Sequence, residues 1–229
     1  MTNFSEIQKA LWEKAALKQS IYRNTLAVFE QFKLEAKKLI ENLQNDRGKL
    51  DRNVLIEFKD KGTFEFEMKF GGDMLIFVMH TNVFGFDKAH TVWQTDYVKE
   101  DVTRAYCGMI NIYNFLSDSF KYHRQNDVGY LIGRLFINKD DHFFVEGKRK
   151  LNFLYNQFDK ECCLDGKIIA EIIETAMLYS MNFDLVTPPY QEVHELSAGE
   201  LIRNTSFMQL KTGKRLGYKF SFETDSDIQ

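Results

Sequence analysis

The residues whose types and spacing bear on chemistry are few. Glu67-x-Lys69, with Asp60 upstream on the preceding turn, has the form of the Asp, Glu-x-Lys constellation with which metal-dependent nucleases hold a divalent ion and orient water. The same spacing recurs at Glu57-x-Lys59 with Asp51 upstream, and a motif that strand alternation produces twice carries little weight. Glu65, Glu67 and Lys69 are therefore expected on the solvated side of an amphipathic strand. The histidines, His80, His90, His123, His142 and His194, are scattered, with no H-x-x-x-H spacing, so no metal site is expected. His80 closes an apolar run, where its ring is expected to donate to a backbone carbonyl. The adjacent Cys162 and Cys163 offer thiols, but nothing near them in sequence supplies a base.

Phosphate loops, dinucleotide fingerprints and nucleophile elbows have no counterpart here, so no catalytic residue and no cofactor is assigned. Lys148-Arg149-Lys150, with Phe153 and Tyr155 downstream, is a short basic and aromatic cluster in a chain of net charge −3; nucleic acid is not the expected partner. The glycines are more suggestive. Gly108, Gly129 and Gly133 fall within strands rich in large apolar residues, where missing side chains mark either curvature or room for a ligand. If the space is a pocket, Tyr106, Tyr130, Gly133 and Arg134 line it, with Arg134 pairing an acidic ligand.

These groups need elements to position them. Between Phe4 and Leu43 apolar residues recur every three or four positions, including Tyr22, Phe29, Phe32 and Leu39, with one interruption at Lys18. That stripe predicts one long helix ending before Gly48, with a break near Ser20 as the alternative. Alternation then predicts strands over 54–59, 64–70 and 74–79, the last apolar on both faces and so covered twice. Residues 82–105 read as a packed excursion, followed by strands over 106–116, 128–138 and 142–146. Helical spacing returns over Gly166 to Met181, Ser197 and Glu200 cap a short helix to Asn204, and Lys148 to Phe158 reads equally as strand or helix.

The expected architecture is α+β: a curved, mainly antiparallel sheet of about six strands, a long N-terminal helix over 1–48, a body over 49–220 and a polar, acidic tail over 221–229. With 21 Phe and 44% hydrophobic residues the chain is expected to bury a full core. Met1 to Ala10 lacks the apolar core of a signal peptide, and no apolar run approaches the about 20 residues of a membrane helix. Unpaired cysteines fit a reducing cytoplasm, without membrane association. The stripe is longer than one sheet can cover, so the leading functional expectation is a non-catalytic interaction module that forms a homo-oligomer through Tyr22, Phe29, Phe32 and Leu39. A small-ligand sensor is the alternative, and a nuclease the enzyme reading.

Overall fold

A computed structural model of the chain describes residues 3–46, 48, 50–125, 127–147, 158, 163–187, 189–195 and 197–199. The apolar stripe does form one helix of 43 residues: α1 (Asn3–Ala10) passes through a π-helical turn (Leu11–Ala15) into α2 (Ala16–Asn45). At 1.5 Å per residue it extends about 65 Å. The irregularity falls at Leu11–Ala15, one turn before Lys18, rather than as a break near Ser20. A π-turn inserts an extra residue without ending the helix, which rotates the face presented before it relative to the face after it.

Six strands follow in the order β1 (Ile56–Asp60), β2 (Glu65–Phe70), β3 (Asp73–Phe84), β4 (Cys107–Leu116), β5 (Tyr130–Ile137) and β6 (Phe143–Gly147). Each pairs antiparallel with the next, giving an open meander. Gly62, at φ +110°, makes the β1–β2 turn in a conformation that side chains resist. Strand β3 runs further than alternation suggests because its last residues bulge away between His80 and Phe84 before pairing resumes at Cys107. A second irregularity lies between Ile112 and Tyr113, where β5 carries Ile132 as an extra residue beside Gly133.

One face of the sheet receives α2 and α5 (Gly166–Met181). Rows of cross-strand neighbours place Phe66, Phe77 and Ile112 side by side on that face. Phe66 and Phe77 stack at 4.5 Å between centroids, Phe29 of α2 meets Phe66 at 5.4 Å, and Phe32 meets Phe77 at 6.0 Å. The helix comes close at Gly108, where any side chain would run into Thr25. Helix α5 starts at the residue its spacing predicts, capped by the Asp165 carboxylate, which accepts from Ile168 N at 2.8 Å.

The opposite face is covered in part by the excursion after β3. Its 3-10 turns, Thr91–Gln94 and Val102–Ala105, flank the short α3 (Asp96–Glu100), and Val92, Tyr97, Val98 and Ala105 pack on Cys107, Phe136, Phe144 and Phe158 in a second apolar cluster. Further along that face Met74 and Ile76 of β3 are buried, with Phe115 and Tyr113 as their same-face neighbours on β4. Among the described residues no helix is long and apolar enough to cross a membrane. The basic cluster Lys148-Arg149-Lys150, the ambiguous segment from it up to Phe158, the expected helix beyond residue 199 and the acidic tail lie outside the described residues.

Candidate functional site

The nuclease-like residues do not converge. Asp60 sits opposite Phe66 and so shares the helix-facing side of the sheet, whereas Glu67 sits opposite Lys59 on the other side. Asp60 is held by the Gly62 N–H at 2.9 Å and by Lys33 of α2 at 3.3 Å. The Gly62 hydrogen bond and, after an opposing desolvation, Lys33 lower its pKa from the ordinary carboxylate value. Glu67 is not solvated as alternation suggests: it is only 7% exposed, because it lies between Lys59 and Ile76 across the strands and is closed over by Lys61, an ion pair of 3.1 Å. His80 does bond to the backbone, but as an acceptor rather than a donor: its Nδ1 accepts from the Asn82 N–H at 3.0 Å, as His90 Nδ1 accepts from the Val92 N–H at 3.2 Å. Among the described residues no three His, Cys, Asp or Glu side chains gather as metal ligands.

The four pocket candidates are distributed over the sheet. Tyr130 stands opposite Asn114 near one end of β4, while Tyr106 precedes Cys107 at the other end, about 26 Å away at the rise of an extended strand. Gly133 lies on the helix-facing side at the β5 irregularity, in the row of Phe66, Phe77 and Ile112. Arg134 points to the other side. There it bonds through its guanidinium to Glu146, its neighbour on β6, and lies over the Phe136 ring at 5.2 Å. Beside Tyr130, the Asn114 Oδ1 is buried without a hydrogen-bond partner among the described residues.

The four interface candidates divide. Phe29 and Phe32 are fully buried against the chain's own sheet, and Leu39 is half-buried on the same core. An interface cannot reach the two phenylalanines without unfolding the subunit, so the apolar surface open to a partner lies elsewhere on the helix. Tyr22 borders open space: with Lys18, Gln19, Thr81, Asn82 and Val83 it lines a cleft of about 580 Å³ between the helix and the bulged end of β3.

That cleft lies at the root of an arm. Across α1 and the π-turn no residue is buried, yet Phe4 is 73% and Trp12 70% exposed, and Ile7 and Leu11 are exposed as well. Four large apolar side chains on less than four helical turns is more than a surface helix carries without a partner. The interleaved charges Glu6, Lys9, Glu13 and Lys14 cancel. No protein-family model, curated protein or solved structure matches this chain.

Proposed function

We propose that the protein is a non-catalytic association module whose occupant for the arm is the arm region of a second copy. The observation that carries this reading is the exposure of Phe4, Ile7, Leu11 and Trp12 on a helix whose later turns bury one face in their own fold. Charge decides against an anionic lipid surface, because Glu6 and Glu13 offset Lys9 and Lys14. A second copy supplies an equivalent apolar arm in a two-fold, self-complementary contact, and the cleft beside Tyr22 gives the partner's aromatic side chains a seat at the arm's root. A ligand-sensing reading around Gly133 has less support, since Arg134 already pairs with Glu146 and Tyr106 lies at the far end of the sheet.

Native mass spectrometry of the wild-type chain and of Leu11→Asp tests the reading. A wild-type mass at twice 27.0 kDa that falls to 27.0 kDa in the variant is the expected result. A wild-type monomer at tens of micromolar, or a dimer indifferent to Leu11→Asp, overturns it.

A further inference from the structure

A thiol and an imidazole that are far apart in sequence meet at the edge of the second apolar cluster. Cys163 is exposed, and its Sγ lies 3.7 Å from His142 Nε2. That is hydrogen-bond reach for sulfur, the arrangement in which a base takes the proton of a nucleophilic thiol. The histidine is positioned rather than loose: it is only 7% exposed, and its ring packs on Tyr97 at 4.8 Å. Its backbone is clamped twice by the fully buried Asn138, whose Oδ1 accepts from His142 N at 3.1 Å and whose N–H donates to His142 O at 3.0 Å. Asn138 Nδ2 in turn donates to the Tyr97 hydroxyl at 3.1 Å, so ring and backbone are fixed by one network. Cys163 itself precedes the capped N-terminus of α5, and the Leu164 N–H donates to Asp141 O at 3.1 Å, which ties its segment to the β5–β6 turn.

We propose that Cys163 and His142 form a reactive thiol–imidazole pair that exchanges with low-mass disulfides, preferentially cationic ones. In the step, Cys163 Sγ–H gives its proton to His142 Nε2 and the sulfur attacks one sulfur of the disulfide. The disulfide S–S bond breaks as the new Sγ–S bond forms. The departing thiolate takes the proton from the imidazolium, so the protein thiol is oxidised to a mixed disulfide and the small disulfide is reduced to one thiol. The preference for a cation follows from the neighbours. Cys163 Sγ reaches the Asp140 carbonyl at 4.0 Å, and the carboxylates of Asp140, Asp141 and Asp165 stand on the flanking segments. Against these three are Lys167, in the first turn of α5, and Arg104, which bonds to Asp140 at 3.1 Å and to a further carboxylate, Glu100, at 3.0 Å, while Lys139 is held by Asp101 at 2.5 Å. The balance is acidic.

The test is the second-order rate of mixed-disulfide formation with cystamine, measured in the full chain carrying Cys162→Ser, with the site of the adduct located by mass spectrometry. Cys107 is fully buried and does not compete in the folded chain, and in the unfolded chain the rate is read from the Cys163 adduct alone. At pH 7 the folded chain is expected to react about tenfold faster than the same chain unfolded in urea, His142→Ala to lose about tenfold, and added imidazole to restore part of that loss. Glutathione disulfide, which is anionic, is expected to react about tenfold more slowly than cystamine. Equal rates for folded and unfolded chains overturn the pair, and this comparison needs no substitution at His142. A rate unmoved by His142→Ala, or an alanine variant deaf to imidazole, overturns the base assignment. Equal rates for the two disulfides overturn the charge preference.

Discussion

The two ends of the N-terminal helix carry the same three-and-four apolar spacing and meet opposite fates. In the body of the helix Val28, Phe29, Phe32, Ala36 and Ile40 disappear beneath the sheet, whereas in the arm Phe4, Ile7, Leu11 and Trp12 face outward. Hydrophobic periodicity states that a face needs cover; it does not state whether the cover comes from the same chain. The π-turn at Leu11–Ala15 marks the place where the two fates divide.

Truncation at the two ends sharpens this contrast most. Phe32→Ala removes a fully buried ring from between α2 and Phe77, and is expected to cost about 3–5 kcal/mol in urea unfolding. The arm variant Leu11→Asp leaves the unfolding midpoint of the isolated subunit within about 0.5 kcal/mol of wild type, as surface substitutions do. A large loss of subunit stability in the arm variant would break the comparison.

Gly108→Ala attacks the contrast from the other side, by prying the body helix away from its sheet. The new methyl collides with Thr25, so a cost of about 1–3 kcal/mol is expected, partly recovered by Thr25→Ala, which removes two of the colliding atoms. If the alanine variant is as stable as wild type, the close approach of helix and sheet is not as described.

The smallest expected effect is acid sensitivity, because the groups concerned are partly exposed. Asp60, which ties the body helix to the β1–β2 turn, has its pKa lowered chiefly by the Gly62 N–H. Asp101 is held far below the carboxylate range first by its bond to Lys139 and then by Thr103. A carboxylate whose folded pKa is lowered stabilises the fold fully above its unfolded value, near 3.9, and that stability is lost as pH falls through the folded value. Thermal unfolding followed by circular dichroism should therefore show the melting temperature dropping below about pH 4, with a shallower drop in Asp60→Asn. An identical slope in the two proteins would remove Asp60 from the account.

What was legible in the sequence is what local spacing enforces. The register of β2 with its neighbours keeps Phe66, Met68 and Phe70 on the buried side, as their alternation requires, and the Gly166–Met181 spacing fixes α5. The burial of Glu67 is not legible in the sequence because alternation names a face and not its cover: the second side of the sheet is dry wherever Lys61 or a cross-strand neighbour closes over it. The Gly133 reading was open for the same kind of reason. A glycine in a strand signals missing volume, and only pairing across strands shows the irregularity beside it.

By itself the sequence determined the long helix, the alternating strands and α5, since helix and strand periods are set by backbone geometry within a few residues of each position. Tertiary structure alone decided which apolar faces meet. It buried Phe29 and Phe32 in their own subunit and left Phe4 and Trp12 bare, set Asp60 and Glu67 on opposite sides of the sheet, and brought His142 to Cys163. Such contacts depend on strand order, register and the path of loops, which no local period encodes, because the interactions that fix them join residues tens of positions apart.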